Sequence, residues 1–259
     1  MLTIDKKILM FNVKEIHFSD KPFEIENCDF VNFRYCKKNV NVKGFTCEKE
    51  FTIIIDLTQD LDTIWHNMDN KSVRYWINRA QKEGIIVRKN DKHDQFYQIY
   101  RSFIQKKGIK SKFDLFGVGS TTLESMKKNG TLFIAEHNGE ILAGTLYLED
   151  DSHIESWIGA SKRLEIQNSN KKLIAAADHL IDWEAIKYAK QKGLKEFDLG
   201  GIWSEEEAAK DLAKKGINNY KLNLGGKPVT RYSYKKIYSK TYKFLYHLYD
   251  LKNYRQKAA

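Results

Sequence analysis

The clearest patterning in the chain lies between Leu132 and Ala160. LFIAEH and EILAGTLYLE flank Asn138-Gly139, and HIESWIGA follows Asp150-Asp151-Ser152. Asn-Gly between β-like runs favours a two-residue hairpin, so three antiparallel strands in a meander are predicted. Lys171 to Lys192 then reads as a long helix, with Leu173, Ala177, Leu180, Ile181, Glu184 and Tyr188 near one face and Gly193 as its stop. Upstream, residues 1–50 read as short strands with turns at Asp20-Lys21-Pro22 and Val42-Lys43-Gly44. The β-branched run Phe51 to Leu57 predicts another strand. Leu61, Ile64, Trp65 and Met68 have helical spacing. A second helix is predicted from Ser72 as N-cap to Glu83, with Val73, Trp76, Ile77 and Ala80 buried and Arg74, Arg79 and Lys82 off the stripe. Ile85-Ile86-Val87 predicts a strand. Helices follow around Phe96 to Ile104, ending near Gly108, and over Thr121 to Lys128. The charged run Lys89 to His93 is the expected boundary between a lobe at 1–92 and a domain at 93–259. Meander, long helix and a further strand predict an α+β (α/β sandwich) fold.

The stretch from Phe197 to Gly226 carries most of the candidate chemistry. Lys195 to Leu199 predicts a short strand running into Gly200-Gly201, and a glycine pair lets a ligand approach the backbone closely. Asp198 therefore sits at a strand end, with two readings: a catalytic base, or the group that holds the glycine turn. A charged helical segment follows and is expected to end at Gly216. Tyr220 to Leu224 alternates, which predicts a strand with Tyr220, Leu222 and Leu224 on one face and Lys221 and Asn223 on the other. Gly225-Gly226 closes it, and the two glycine pairs predict a cleft.

Composition narrows the function classes. In 259 residues, 42% are hydrophobic, enough for a sizeable core. No apolar run approaches a membrane span, and Met1 to Met10 does not read as a signal peptide. Cys28, Cys36 and Cys47 are odd in number and lack metal-ligand spacing, so neither a disulfide framework nor a metal site is expected, and a cytoplasmic location is. The net charge of +10 is concentrated at the end of the chain. Lys227 to Ala259 holds nine Lys/Arg against Asp250, a net +8, with seven of the fourteen tyrosines. Such a segment suits phosphate groups on nucleic acid, on a nucleotide-linked substrate or on an anionic membrane surface. Equally, Tyr238, Tyr242, Tyr246 and Tyr249 at helical spacing fit a helix packed on the core.

Seven segments in order resemble one known family. They are TIIIDL with Trp65 after it, RYWINRAQKEGIIV, LFIAEHNGEILAGTLYL, the strand ending WIGAS, the helix with Asp182-Trp183-Glu184-Ala185-Ile186, FDLGGI, and NNYKLNLGGKPV. Together they resemble the Fem-type peptidoglycan bridge-forming aminoacyltransferases, within the GNAT-like acyltransferase superfamily. The resemblance implies a GNAT-like fold, a mixed and largely antiparallel sheet flanked by helices, with a shortened N-terminal lobe. It also implies that Lys221, in Tyr220-Lys221 where the family usually has Phe-Lys, is the electrophilic catalyst.

CoA-dependent relatives cradle a pyrophosphate in a glycine-rich turn before the long helix. Residues 162–171 here read KRLEIQNSNK and contain no glycine. The resemblance therefore implies no bound cofactor and aminoacyl-tRNA as donor, with acetyl-CoA as the alternative. The acceptor would be an amine of a lipid- or nucleotide-linked cell-envelope precursor: a peptidoglycan stem or a surface-polysaccharide amino sugar. Peripheral contact with the inner face of the membrane is compatible with the charge. The competing class is a non-catalytic acyltransferase-like fold that binds RNA or an anionic surface. Lys221 and Asp198 are the candidate catalytic residues. Arg74 and Arg79 could clamp acceptor phosphates or form a solvated helix face. Trp157 could wall a cleft or fill the core. Gly200, Gly201, Tyr220, Asn223 and Arg231 complete the candidate substrate-binding set.

Overall fold

The computed structural model describes residues 1–107, 122–165 and 171–248. These divide into two units: residues 1–50 with 230–248, and residues 51–107 with 123–229. In the smaller unit, β1 (Leu2–Ile8) and β2 (Phe11–His17) form an antiparallel hairpin. β2 runs parallel to β3 (Phe30–Cys36), which pairs antiparallel with β10 (Lys227–Ile237). A terminal helix, α8 (residues 240–248), covers this sheet. Its Tyr242 is fully buried with Phe11 and Phe30, ring centroids 5.2 and 5.5 Å away. Of the expected tyrosine stripe, Tyr242 and Tyr246 pack in this core, Tyr238 precedes the helix, and Tyr249 lies outside the described residues. Lys235 and Lys236 are paired with Glu48 and Glu24, so part of the terminal positive charge is neutralised locally. The three cysteines are free, and burial pushes the Cys36 thiol up to about 12, as expected for an inert packing residue.

The larger unit holds the sheet that matters for chemistry. β4 (Thr46–Asp56) crosses from the smaller unit into it, and the β-branched run Ile53-Ile54-Ile55 lies at its inner end. After β4 come α1 (Leu61–Asn67), a wide π-type turn at Asn70–Arg74, and α2 (Tyr75–Lys82). The expected helix from Ser72 is thus an α-helix only from Tyr75. Asp69 caps the preceding turn, accepting from Lys71 N and Ser72 N, because its shorter carboxylate reaches both free amides.

β5 (Ile86–Asn90), β6 (Thr131–His137), β7 (Glu140–Glu149) and β8 (His153–Ser161) continue as an antiparallel series. Asn138 and Gly139 take φ of 50° and 80°, the left-handed pair that a two-residue hairpin turn requires. α3 (His93–Lys106) and α4 (Leu123–Asn129) flank this part, and residues 108–121 between them lie outside the described set. The boundary expected at Lys89–His93 is not where the units divide. β5 pairs with β6 from Ile86↔Glu136 to Asn90↔Leu132, and Lys92 is ion-paired with Glu136, so both sides of the charged run are stitched into one sheet.

α5 (Lys171–Gln191) lies against the sheet and buries Ile174, Ala177, Leu180, Ile181, Ala185 and Ile186. β9 (Glu196–Ile202) follows, then α6 (Glu205–Ala209) and α7 (Leu212–Asn223). β9 is antiparallel to β4 and parallel to β8. A mixed, largely antiparallel sheet flanked by helices is the GNAT-like architecture. No helix among the described residues is long and apolar enough to cross a membrane.

The chief local correction concerns α7. The expected strand at Tyr220 to Leu224 is the last turns of a helix, which continues through Gly216 instead of ending there. Asp211 caps it by accepting from Ala213 N and Lys214 N, and Gly225, at φ +88°, stops it. Gly216 costs the helix about 1 kcal/mol relative to alanine, which capping and packing outweigh. The alternation misled because Leu222 points outward, 40% exposed, while Lys221 turns inward.

Candidate active site

β8 and β9 pair only from His153↔Glu196 to Glu155↔Asp198, although both strands run on, to Ser161 and Ile202. Beyond that point β9 stays with β4 and parts from β8. Parallel strands that separate at their carboxyl ends open a crevice, the usual place for a ligand in such sheets. The opening coincides with two irregularities. In β8 the register slips between Leu146↔Ile158 and Tyr147↔Ser156, leaving Trp157 as the extra residue of a bulge. In β9 Gly200 takes φ +80°.

Asp198 explains the second irregularity. Its Oδ1 accepts from Gly200 N at 2.7 Å and from the Thr52 hydroxyl, and the residue is 8% exposed. The bond from Gly200 N holds the glycine turn.

Lys221 approaches from α7. Its Nζ donates to the Gly201 carbonyl at 2.7 Å, which fixes one of its three N–H groups. Burial pushes its pKa below the ordinary lysine value, while the negative charges of Asp198, Asp182 and Glu155 oppose that shift. A Cβ on Gly200 would lie 3.4 Å from Lys221 Nζ and 3.5 Å from Ser156 O, ordinary van der Waals contact, so it is the positive φ, beside the lysine at the mouth of the split, that calls for glycine. Gly200→Ala puts a side chain at positive φ, strains the backbone that carries the Gly201 carbonyl, and sets a methyl against Lys221 Nζ. A stability loss of about 1–2 kcal/mol is expected, with a fall in turnover larger than this loss explains, read by thermal melts and initial rates.

Tyr220, beside Lys221, belongs to a buried network. Its hydroxyl donates to Asp182 Oδ2 at 2.6 Å, and Tyr147 donates to Oδ1 at 2.8 Å. The His179 ring stacks on Tyr220 at 4.8 Å. The other candidates disperse. Asn223 donates to Ser72 Oγ at 2.9 Å, and its carbonyl accepts from Asp69 N, so it ties α7 to the π-type turn. Arg74 ends that same turn. Arg79 lies over Trp76 and pairs with Glu83, the solvated-face arrangement. Trp157 packs partly against the Phe96 and Ile99 cluster. Gly225 and Gly226 serve packing rather than a cleft: a Cβ there would meet Asn67 at 2.8 Å and Ile53 at 2.4 Å. Arg231 is on β10 in the smaller unit. No cluster of three metal-ligating side chains occurs among the described residues.

A family model described as an acetyltransferase (GNAT) domain matches residues 70–228, more than half of the chain. The chain belongs to the GNAT acetyltransferase family. It is accordingly an acyltransferase. No curated protein sequence matches it. Among solved structures, this GNAT chain is similar to FemX, with 13% identity and a TM-score of 0.62, covering 94% of this chain and 85% of that one. It is also similar to the C-terminal domain of a putative lysylphosphatidylglycerol synthetase from Agrobacterium fabrum, with 11% identity and a TM-score of 0.57, covering 96% and 84%. At these identities the likeness is one of fold.

Sequence reading passed over Asp178 and His179 of this GNAT chain, and took Asp182 only as part of a family-like segment without giving it a role. All three fall on α5. The available signal was polarity: Asp178-His179 and Asp182 interrupt an otherwise apolar stripe of α5.

Proposed function

We propose that the protein transfers an aminoacyl group from aminoacyl-tRNA to an amine of a cell-envelope precursor. The observation that carries this reading is Lys221 Nζ, anchored on the Gly201 carbonyl where β8 and β9 separate. A neutral acceptor amine attacks the ester carbonyl. The new N–C bond forms as the carbonyl oxygen gains charge, and an N–H of Lys221 stabilises that oxyanion. Collapse breaks the bond to the ribose oxygen, which leaves with the proton lost by the amine. The donor side rests on residues 162–171, which carry three cations but no glycine turn to cradle a pyrophosphate. Terminal cations such as Lys240 and Lys243, exposed on α8, suit a polyanionic donor.

Calorimetric titration tests the donor. Acetyl-CoA is expected to bind with a dissociation constant above the millimolar range, whereas tRNA binds with strong salt dependence. A micromolar constant for acetyl-CoA would replace this reading with N-acetylation of an amino sugar. RNA binding with no transfer of a labelled aminoacyl group to any envelope precursor would favour the non-catalytic class.

A further inference from the structure

We propose that Asp178, Asp182, His179 and Tyr220 form a subsite for a primary ammonium group, carried either by the aminoacyl donor or by the acceptor. This deepens the aminoacyl-transfer reading and rests on it. α5 advances about 100° per residue, so positions 178, 179 and 182 fall within one arc of its surface. That arc faces Tyr220, the neighbour of Lys221: Asp182 accepts its hydroxyl and the His179 ring lies flat on it.

The polar atoms there are short of donors. Tyr147 and Tyr220 have spent their only hydroxyl protons on Asp182. These are neutral partners, and burial pushes the Asp182 carboxyl above its ordinary value despite them, so a bound cation would favour its charged form. The nearby cation, Lys221, attracts Asp182 but directs its hydrogen bond to Gly201. Asp178, half-buried, sits beside Asp182, and among the described residues the positive charge that counters it is the exposed Arg163. Burial, and then the negative charge of Asp182, push Asp178 up to about 7. His179 is 8% exposed, yet its Nδ1 has no partner. A buried polar atom left unpaired costs about 1–3 kcal/mol, a cost that a bound ligand would remove. Burial pushes this imidazole down to about 4, so it is neutral near pH 7 and offers one acceptor nitrogen.

Two carboxyl groups, a neutral imidazole and the Tyr220 phenol oxygen make a set rich in acceptors. A carbonyl or a phosphate brings only more acceptors. An ammonium brings three N–H donors, no acceptor and a positive charge, and so complements the set. The described residues contain no metal-ligand cluster that would direct the set to an ion instead.

The test is calorimetry on the full chain at pH 7 with two amines, each beside its N-acetyl derivative. L-Alaninamide presents the α-ammonium of a donor, and glucosamine presents the amine of a sugar acceptor. At least one amine is expected to bind ten-fold or more tightly than its N-acetyl form, and the one that does identifies the source. Both amines passing assigns the site to ammonium groups in general. The preference should vanish in Asp178→Asn. Should that variant fail to fold, His179→Phe keeps the stack on Tyr220, removes the free nitrogen, and should cut the preference several-fold. Equal binding of amines and N-acetyl forms by the unaltered protein overturns the proposal, as does a full preference in a folded Asp178→Asn variant. Lys221→Met separates the two readings. Lost turnover without any amine preference in the unaltered protein sinks the subsite and leaves acyl transfer standing. An amine preference with turnover intact in Lys221→Met does the reverse.

Discussion

Lys221→Ala is expected to lower turnover by about 10²–10³, the usual cost of losing one donor to a developing oxyanion. The ammonium is held at 2.7 Å from the Gly201 carbonyl, so its remaining N–H groups are directed rather than mobile. Removing it leaves Asp198, Asp182 and Glu155 without the positive charge they share. Some stability loss is therefore expected, and Lys221→Met, which keeps the stem packed, isolates the charge. Circular dichroism should show both variants folded. Turnover of Lys221→Met within three-fold of the unaltered protein would remove Lys221 from the mechanism.

The same residue sets a pH signature. Burial lowers its pKa below 10.5, so the charged form is lost at a lower pH than in an exposed lysine. Turnover should fall as pH rises through that lowered value. Stability moves the other way: the penalty for burying the charge is present below the folded pKa and fades as pH rises from it towards 10.5. An alkaline decline in rate without a parallel decline in melting temperature is the expected pattern. A rate that stays flat up to pH 10.5 would contradict it.

Tyr242→Ala is expected to destabilise the smaller unit by about 3–5 kcal/mol, the range for emptying a buried aromatic site. Tyr242 is fully buried, edge-on to Phe11 and stacked on Phe30 and Tyr246. Chemical denaturation followed by tyrosine fluorescence measures the loss, and a cost below about 1 kcal/mol would mean that α8 does not stabilise the unit. Truncation of the chain from Ser239 therefore confounds folding with charge. The pair Lys240→Gln and Lys243→Gln, both exposed, leaves the packing alone. At about 0.7 per contact on single-stranded and about 0.9 on duplex segments, these changes should flatten the salt slope of tRNA binding by no more than about 1.8. An unchanged slope would make this surface irrelevant to nucleic acid.

Local chemistry made much of this fold legible. Asn138-Gly139 forces a two-residue hairpin because both residues tolerate positive φ, and the meander followed directly. Gly193 and Gly84, both at positive φ, lie where the sequence places the ends of α5 and α2. Asp198 before Gly200-Gly201 was readable as a strand-end turn, since that geometry involves only neighbours in sequence. Lys221 was legible only through the family resemblance; its own surroundings suggested a strand. Five alternating residues satisfy a period of two and also fit a helix end, and only the Asp211 cap, the Gly225 stop and packing against β9 decide between them.

The tertiary structure alone decided the rest. The boundary at residue 92 failed because charge marks exposure of a connector, not the end of a core, and β5 pairs across it. The parting of β8 from β9 depends on which strands are neighbours, which hydrophobic pattern does not encode. The gathering of Asp178, His179, Asp182, Tyr147 and Tyr220 joins α5, β7 and α7, residues up to 73 positions apart in the chain. The sequence determined turns, caps and strand-forming runs, because those depend on residues a few positions apart. Distant partners, and the burial that moves Lys221, Asp178 and His179 from their ordinary pKa values, exist only once the chain has folded.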